Sequence, residues 1–280
     1  MSSKRIADAL ERLATLGEKL AGVCDGRELD NGKCWRWEAA TLGGRLHTIE
    51  PSAAFDLKQL LGIDKELSRI EKNTRQFLRG KPAHHVLISG PRGCGKSSAA
   101  RGLFSKYAKH GLRLIETDKW GLSQLSSLSN VVAQRREKYI IFCDDLSLSN
   151  EDHFLPPIKS ALEGALSSNT DNLRVYATSN RRHLMPEMMA ENQSTVCGEE
   201  IHPQETGDEK IALSDRFGLS VSFFAPDVAE FENLVRHWLK NMKVSATPQL
   251  MLAACRYADE RGSISGRIAR QFAISVANKN

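Results

Sequence analysis

Short apolar runs and amphipathic segments alternate along the chain from about residue 84 onward. The apolar runs predict strands over residues 86–89, 112–116, 139–143, 173–178 and 219–223. Between them, hydrophobic residues recur at helical spacing over residues 97–109, 122–135 and 154–166, and again before Phe217. Strands that are apolar throughout and alternate with helices are typical of a parallel sheet covered on both faces. The central part of the chain is therefore predicted to be an α/β domain.

The pattern changes on both sides of this central part. Ahead of it, helical spacing predicts a first helix over residues 6–20 and further helices around residues 57–61 and 65–78. Beyond Pro226, three helical stretches at residues 228–240, 248–259 and 263–277 predict a small all-helical domain. We therefore expect a mainly helical N-terminal segment over 1–54, an α/β domain over 55–225 and a helical domain over 226–280.

One strand-like stretch interrupts the N-terminal segment. Residues 34–38 alternate in polarity and contain Trp35 and Trp37. Two hypotheses follow for these tryptophans. They form a surface for a partner, or they pack the segment onto its own domain.

Composition narrows the classes of protein to consider. The chain has 280 residues, a formal net charge of +5 and six cysteines. The mild positive charge permits nucleic-acid binding without arguing for it. No C-x-x-C pair is present, so we expect no cysteine metal site and a reducing, cytoplasmic location. No segment approaches the roughly 18 apolar residues of a membrane span, so no membrane association is expected.

The sequence GPRGCGKS fits the phosphate-binding P-loop pattern G-x-x-x-x-G-K-[ST]. The pattern lies between a predicted strand and a predicted helix, which is the context that it requires. In such a loop the main-chain N–H groups face a phosphate, Lys96 reaches the β- and γ-phosphates, and the Ser97 hydroxyl holds Mg²⁺. The alternative is an ordinary glycine-rich turn. The predicted ATP-binding residues are Gly90, Pro91, Arg92, Gly93, Cys94, Gly95, Lys96, Ser97 and Ser98.

Cys94 lies within this loop, beside the cationic Lys96. If its thiol is exposed there, the pKa of the thiol is expected to be lowered and its alkylation favoured.

Two carboxylates follow the apolar strand at residues 139–143. Burying charge at the end of a strand is costly unless the charge is used, so Asp144 and Asp145 are candidates for chemistry. Asp144 is expected to coordinate Mg²⁺ together with Ser97, and Asp145 to orient or deprotonate the attacking water. The alternative is that both residues begin a solvated loop or cap a helix.

The next strand ends in small polar groups and Asn180. Ligands bind at the carboxyl ends of parallel strands, so Asn180 is a candidate to hydrogen-bond the γ-phosphate or the attacking water. A lone Asn at a strand end is also a common turn residue. Arg216, just before the last predicted strand, and Arg267, on the last predicted helix, carry little weight alone because arginines usually lie in solvent.

Taken in order, these parts resemble the AAA+ ATPases over about residues 55–280. The family has a P-loop, an acidic strand end, a strand ending in Asn, an arginine before the fifth strand and a helical lid with an arginine. The resemblance implies a P-loop NTPase sheet flanked by helices, a C-terminal helical lid and ATP binding with Mg²⁺. It places Asn180 at the sensor-1 position, Arg216 as an arginine finger acting on a neighbouring subunit, and Arg267 at the sensor-2 position. It also implies that the segment of Leu61, Gly62 and Ile63 contacts adenine.

Longer phrases, among them FCDDLS, YATSNRRHL and SGRIARQF, are similar to a bacterial AAA+ group that carries only a domain-of-unknown-function label. Two departures from AAA+ motors stand out. Asp145 replaces the usual Glu, and the segment 119–122, with Trp120, lies near the place of the motor pore loop but at a different spacing. The alternative for Trp120 is a core residue.

The resemblance implies an ATP hydrolase that forms homo-oligomers and remodels an unknown protein or nucleic-acid partner. A DNA-binding helper of the loader type is an alternative, which Arg174, Arg181 and Arg182 permit. A P-loop kinase, in which Arg216 and Arg267 clamp phosphates within one subunit, is another. Salt-dependent DNA binding distinguishes the helper, and phosphate transfer to an acceptor other than water distinguishes the kinase.

Overall fold

The computed structural model describes residues 26–41, 43–50, 56–147, 153–167, 171–180 and 215–278, with the isolated residues Ile6, Arg12, Gly17 and Cys24. The first predicted helix and the helix predicted before Phe217 lie largely outside this described part. Arg181 and Arg182 also lie outside it.

Seven strands form one sheet in the described part of the chain. They are β1 (Cys34–Ala40), β2 (Gly43–Thr48), β3 (Val86–Ser89), β4 (Leu112–Thr117), β5 (Lys138–Cys143), β6 (Leu173–Ser179) and β7 (Leu219–Ser222). Their order across the sheet is β2-β1-β4-β5-β6-β3-β7. Every neighbouring pair is parallel except β1 and β2. The predicted parallel sheet is therefore confirmed.

Helices cover both faces of this sheet. They are α1 (Asp64–Leu78), α2 (Lys96–Tyr107), α3 (Lys119–Ser123), α4 (Leu125–Val132) and α5 (Leu155–Ser167). One core contains Ile141 and Val175 with the apolar faces of α4 and α5. The other contains Ile88 and Phe142 with α1 and α2. Each central strand is buried on both faces, which explains why its sequence is apolar throughout.

The β1–β2 hairpin extends the sheet beyond β4. Its register places Cys34 beside Leu114, and Arg36 beside Glu116. Trp35 and Trp37 are 0% and 3% exposed, so they pack into their own domain and form no partner surface. In its described part, the segment expected to be mainly helical is instead a hairpin that shares the core of the sheet. Burial of alternate residues against α3 and α4 favours the strand over a helix.

Three helices follow β7 within residues 215–278. They are α6 (Val228–Asn241), α7 (Pro248–Asp259) and α8 (Gly266–Ala277). Each begins at a residue whose side chain accepts a backbone N–H: Asp227, Thr247 and Ser265. Phe231, Val235 and Ala269 belong to a hydrophobic core of their own. The predicted C-terminal helices are therefore confirmed.

Two other features of the described residues bear on the sequence predictions. None of their helices is long and apolar enough to cross a membrane. Trp120 lies on α3 and is 40% exposed, so it is not a core residue. Its neighbour Gly121 is buried against Thr117 and Trp37, which leaves no room for a side chain at that position.

Candidate nucleotide-binding site

A cavity of about 910 Å³ opens at the carboxyl edge of the sheet. The loop between β3 and α2 forms its floor, the ends of β5 and β6 form one wall, and α6 and α8 form the other. Most of the predicted site residues line it: Leu61, Gly62, Ile63, Arg92, Gly93, Cys94, Gly95, Lys96, Ser97, Ser98, Asp144, Asp145, Asn180 and Arg267. The topology therefore brings residues from distant parts of the chain around one space.

The β3–α2 loop depends on glycine at two points of close approach. Gly90 has φ +141°, and a Cβ there would lie 2.2 Å from the carbonyl oxygen of Phe223. Gly93 has φ +81°, and a Cβ there would lie 2.7 Å from Ser265 Oγ. Side chains at these positions are excluded by both the backbone angle and the space. Gly90 therefore allows the loop to pass close to the backbone that follows β7. Gly93 allows it to pass close to the start of α8.

Lys96 is 6% exposed and lies at the start of α2, inside the curve of this loop. Its Nζ donates to the carbonyl oxygens of Gly90 and Pro91, both at 2.7 Å, and to Asn180 Oδ1 at 2.9 Å. Burial lowers the pKa of Lys96, while nearby Asp144 and Asp145 act in the opposite direction. The ammonium is thus positioned by three oxygen acceptors at the centre of the cavity floor.

Cys94 differs from its sequence-based expectation. Its Sγ donates to the carbonyl oxygen of Pro91 at 2.9 Å, and the residue is partly buried. Burial raises the pKa of the Cys94 thiol, and this effect outweighs the attraction of Lys96 for the thiolate. The exposed thiol on which the expected lowering of the pKa depended is therefore not present, and the alkylation of Cys94 stays a prediction.

Asp144 accepts hydrogen bonds from two hydroxyl groups at the end of β5. Ser97 Oγ and Thr178 Oγ1 both donate to its Oδ1, each at 2.6 Å. A carboxylate and a hydroxyl beside a phosphate-binding loop are the hard oxygen ligands that Mg²⁺ takes. The residues present therefore fit a magnesium ion. Thr178 was not singled out from the sequence, although it lies within the polar end of its strand.

Asp145 and Asn180 connect the acidic strand end to Lys96. The Asn180 amide Nδ2 donates to Asp145 Oδ1, while Asn180 Oδ1 accepts from Lys96. Asp145 has φ +57°, an uncommon conformation for a residue with a side chain. Its backbone N–H is held by Thr178 Oγ1 at 2.9 Å. Such unusual backbone angles concentrate at functional sites, where the surroundings stabilise them.

The other end of the cavity is apolar. Leu61 is 38% exposed and faces the cavity with Gly62 and the buried Ile63. Leu60 of the same segment also lines the cavity, and sequence reasoning missed the other apolar lining residues: Phe224, Ala225, Pro226, Leu234 and Trp238. Leu234 and Trp238 are one turn apart on α6, so they lie on the same face of that helix. Their helical spacing in the sequence was the signal that could have identified this face. An apolar pocket next to a phosphate-binding loop suits a flat heterocyclic base.

Helix α8 contacts the phosphate-binding loop directly. The backbone N–H of Arg267 donates to the carbonyl oxygen of Gly93 at 3.3 Å, and the side chain of Arg267 faces the cavity. Ser265 Oγ accepts the N–H of Ile268 at 3.4 Å and so caps the same helix. The C-terminal helices are thereby joined to the loop that they cover.

Arg216 lies outside this cavity. Its Nη2 is 2.5 Å from Glu163 Oε1 on α5, and its side chain is 30% exposed. Of the sequence-predicted catalytic residues, Asp145 and Asn180 face the cavity and Arg216 does not.

Known proteins share this fold. The Holliday junction branch migration complex subunit RuvB of Mycoplasma genitalium is 23% identical over 237 residues, which are 82% of this chain and 71% of RuvB. The Thermotoga maritima RuvB branch migration motor superposes with a TM-score of 0.52 at 16% identity, over 80% of this chain and 64% of its own. The replication initiator DnaA, bound to AMPPCP and single-stranded DNA, superposes with a TM-score of 0.56 at 13% identity. The match covers 81% of this chain and 66% of the DnaA chain.

The chain spans less than two thirds of either solved structure, and at these identities the likeness concerns the fold. A family model described as "Protein of unknown function (DUF815)" matches residues 30–280. The mostly parallel sheet with its P-loop has the AAA+ P-loop NTPase fold, and the chain belongs to the DUF815 family.

Proposed function

We propose that this protein binds ATP with Mg²⁺, hydrolyses it as a homo-oligomer, and uses the hydrolysis to remodel a macromolecular partner. One observation carries the proposal most strongly. Lys96, Asn180 and Asp145 form a continuous hydrogen-bonded series in the same cavity as the Ser97–Asp144 pair. This arrangement supports three roles: Lys96 as the phosphate-binding cation, Asn180 as a polar sensor and Asp145 as the base. It also supports Ser97 and Asp144 as the metal ligands.

Each side chain then has a chemical role. Ser97 and Asp144 hold Mg²⁺, which neutralises developing charge on the phosphates when bound. Lys96 exchanges the carbonyl oxygens of Gly90 and Pro91 for phosphate oxygens. Asp145 orients the attacking water and accepts its proton, and Asn180 fixes the carboxylate for that task through its amide. Leu61, Gly62 and Ile63 contact the base, and Arg267 binds the phosphates from α8.

The position of Arg216 supports a site shared between subunits. An arginine outside its own cavity is unable to stabilise charge there, and in a shared site Arg216 would exchange Glu163 for a phosphate on a second copy of the chain. The kinase alternative needs Arg216 and Arg267 in one cavity, and only Arg267 lines it. We therefore favour the oligomeric ATPase over the kinase.

A nucleic-acid partner is the second candidate. It is favoured by the relatives, since RuvB is described as acting on Holliday junctions and DnaA was solved with single-stranded DNA. The formal net charge of +5 is compatible with this partner. The DNA-binding helper and the remodeller of a protein partner differ in substrate and share the same ATP site.

Measuring ATP turnover against protein concentration tests the proposal. Specific activity is expected to rise with concentration as subunits assemble, and the product is expected to be inorganic phosphate. Turnover independent of concentration, or transfer of phosphate to another acceptor, contradicts it. Adding single-stranded and branched DNA at several salt concentrations separates the two partner classes, because binding through phosphates weakens steeply with salt.

A further inference from the structure

A chain of alternating charges runs from the N-terminal hairpin to the metal ligand Asp144. Arg36 Nη2 lies 3.2 Å from Glu116 Oε2, and Arg101 Nε lies 3.1 Å from Glu116 Oε1. Arg101 Nη2 then lies 3.5 Å from Asp144 Oδ2. The catalytic roles above use only Asp144, the last member of this chain.

The sheet register builds this arrangement. Arg36 on β1, Glu116 on β4 and Phe142 on β5 are neighbours in one row across three strands. Arg101 lies one helical turn after Ser97 on α2, and its guanidinium lies over the Phe142 ring at 5.5 Å. The aromatic face and Glu116 together fix the direction in which Arg101 points. Arg101 itself lines the cavity.

Glu116 is the most enclosed member of the series. Its side chain is 16% exposed, compared with 37% for Arg101, 38% for Asp144 and 56% for Arg36. A guanidinium contacts each oxygen of this carboxylate. Glu116 therefore offsets the charge of Arg101 beside a site that is to receive a divalent cation.

We propose that Arg101 and Glu116 are positioning residues that set how readily Asp144 accepts Mg²⁺ with ATP. Arg101 Nη2 contacts Oδ2 of Asp144 when the ion is absent, and Glu116, by offsetting the charge of Arg101, lowers the repulsion between Arg101 and an arriving Mg²⁺. This inference rests on the proposed function, since it needs ATP and Mg²⁺ in the cavity. The alternative is that these residues form ordinary surface ion pairs. Such pairs contribute little to folding stability and would leave the metal dependence of nucleotide binding unchanged.

The test is equilibrium binding of fluorescent methylanthraniloyl-ATP, titrated at a series of Mg²⁺ concentrations. Glu116→Gln leaves the charge of Arg101 uncompensated. It is therefore expected to raise, by about tenfold, the Mg²⁺ concentration at which half of the Mg²⁺-dependent gain in nucleotide affinity is reached. Arg101→Gln is expected to lower that concentration. In the Arg101→Gln background, Glu116→Gln is expected to have little effect, because Glu116 acts through Arg101.

Glu71→Gln is the matched control. Glu71 is 20% exposed and accepts hydrogen bonds from Lys106 and Tyr107 at the far end of α2, so its loss affects packing of the same helix. It is expected to leave the Mg²⁺ dependence unchanged. If Glu116→Gln unfolds the chain, the opposite shift expected for Arg101→Gln tests the proposal independently.

Normal Mg²⁺ dependence in folded Glu116→Gln and Arg101→Gln overturns the inference and leaves the proposed function intact. Equal effects of Glu116→Gln with and without Arg101 overturn it as well, since they indicate a general charge effect. Failure of the wild-type chain to bind the fluorescent nucleotide at any Mg²⁺ concentration overturns the proposed function and this inference together.

Discussion

Replacing Arg216 with alanine is expected to lower ATP turnover by roughly 10³-fold or more while ATP affinity stays close to that of the wild type. The side chain lies outside its own cavity, so its loss leaves the binding contacts of that cavity in place. In a shared site it stabilises transition-state charge on a neighbour's phosphates. Steady-state turnover and equilibrium nucleotide binding, measured on the same preparation, check both halves of this expectation.

Mixing two inactive variants gives the control for a shared site. Arg216→Ala subunits keep an intact phosphate-binding loop, and Lys96→Ala subunits keep an intact arginine, so the mixture is expected to regain part of the turnover. Arg236→Ala is a matched arginine variant, since Arg236 pairs with Glu232 on the surface of α6 at 2.7 Å. Its ATP turnover is expected to equal that of the wild type. Absence of rescue on mixing contradicts the shared site, and a small effect of Arg216→Ala indicates only a surface pair with Glu163.

Replacing Asp145 with asparagine is expected to lower hydrolysis by about 10²-fold or more and to leave ATP binding intact. Asparagine keeps the shape of the side chain and its acceptor oxygen but is unable to take a proton from water. Asp145→Asn is therefore also suited to trapping partners in the ATP-bound state, with capture followed by mass spectrometry.

Asp144→Asn provides the contrast to this variant. Asp144 shares a hydrogen bond with Ser97, so its replacement is expected to weaken the part of ATP binding that depends on Mg²⁺. Two variants one residue apart are thus expected to separate binding from chemistry. Full turnover in both shows that the acidic strand end is not the catalytic edge.

Local sequence signals predicted most of the central fold and the floor of the site. The apolar runs that became β3 to β7 and the P-loop before α2 depend on neighbours in the chain, so periodicity and spacing identify them. Asp144, Asp145 and Asn180 follow strands that were predicted, and the carboxyl edge of a parallel sheet brings such residues together.

Long-range pairing accounts for what the sequence did not predict. Nothing local indicates that β1 pairs with β4, so the Arg36–Glu116 contact was not predicted, and packing of Trp37 onto its own domain was one of two hypotheses. The contact between Gly93 and Ser265 depends on how α8 docks on the loop. The pKa of Cys94 depends on burial, which sequence spacing alone does not give.

Calorimetric titration of ATP with Mg²⁺ into the wild-type protein and Lys96→Ala tests the central claim most directly. Lys96 Nζ contacts three oxygen acceptors at the cavity floor, and it is the cation that phosphate is expected to engage there. We expect saturable binding to the wild-type protein and no measurable binding to Lys96→Ala, with circular dichroism spectra of the two proteins alike. ATP affinity that is undiminished in a folded Lys96→Ala protein contradicts the assignment of this cavity as the nucleotide site.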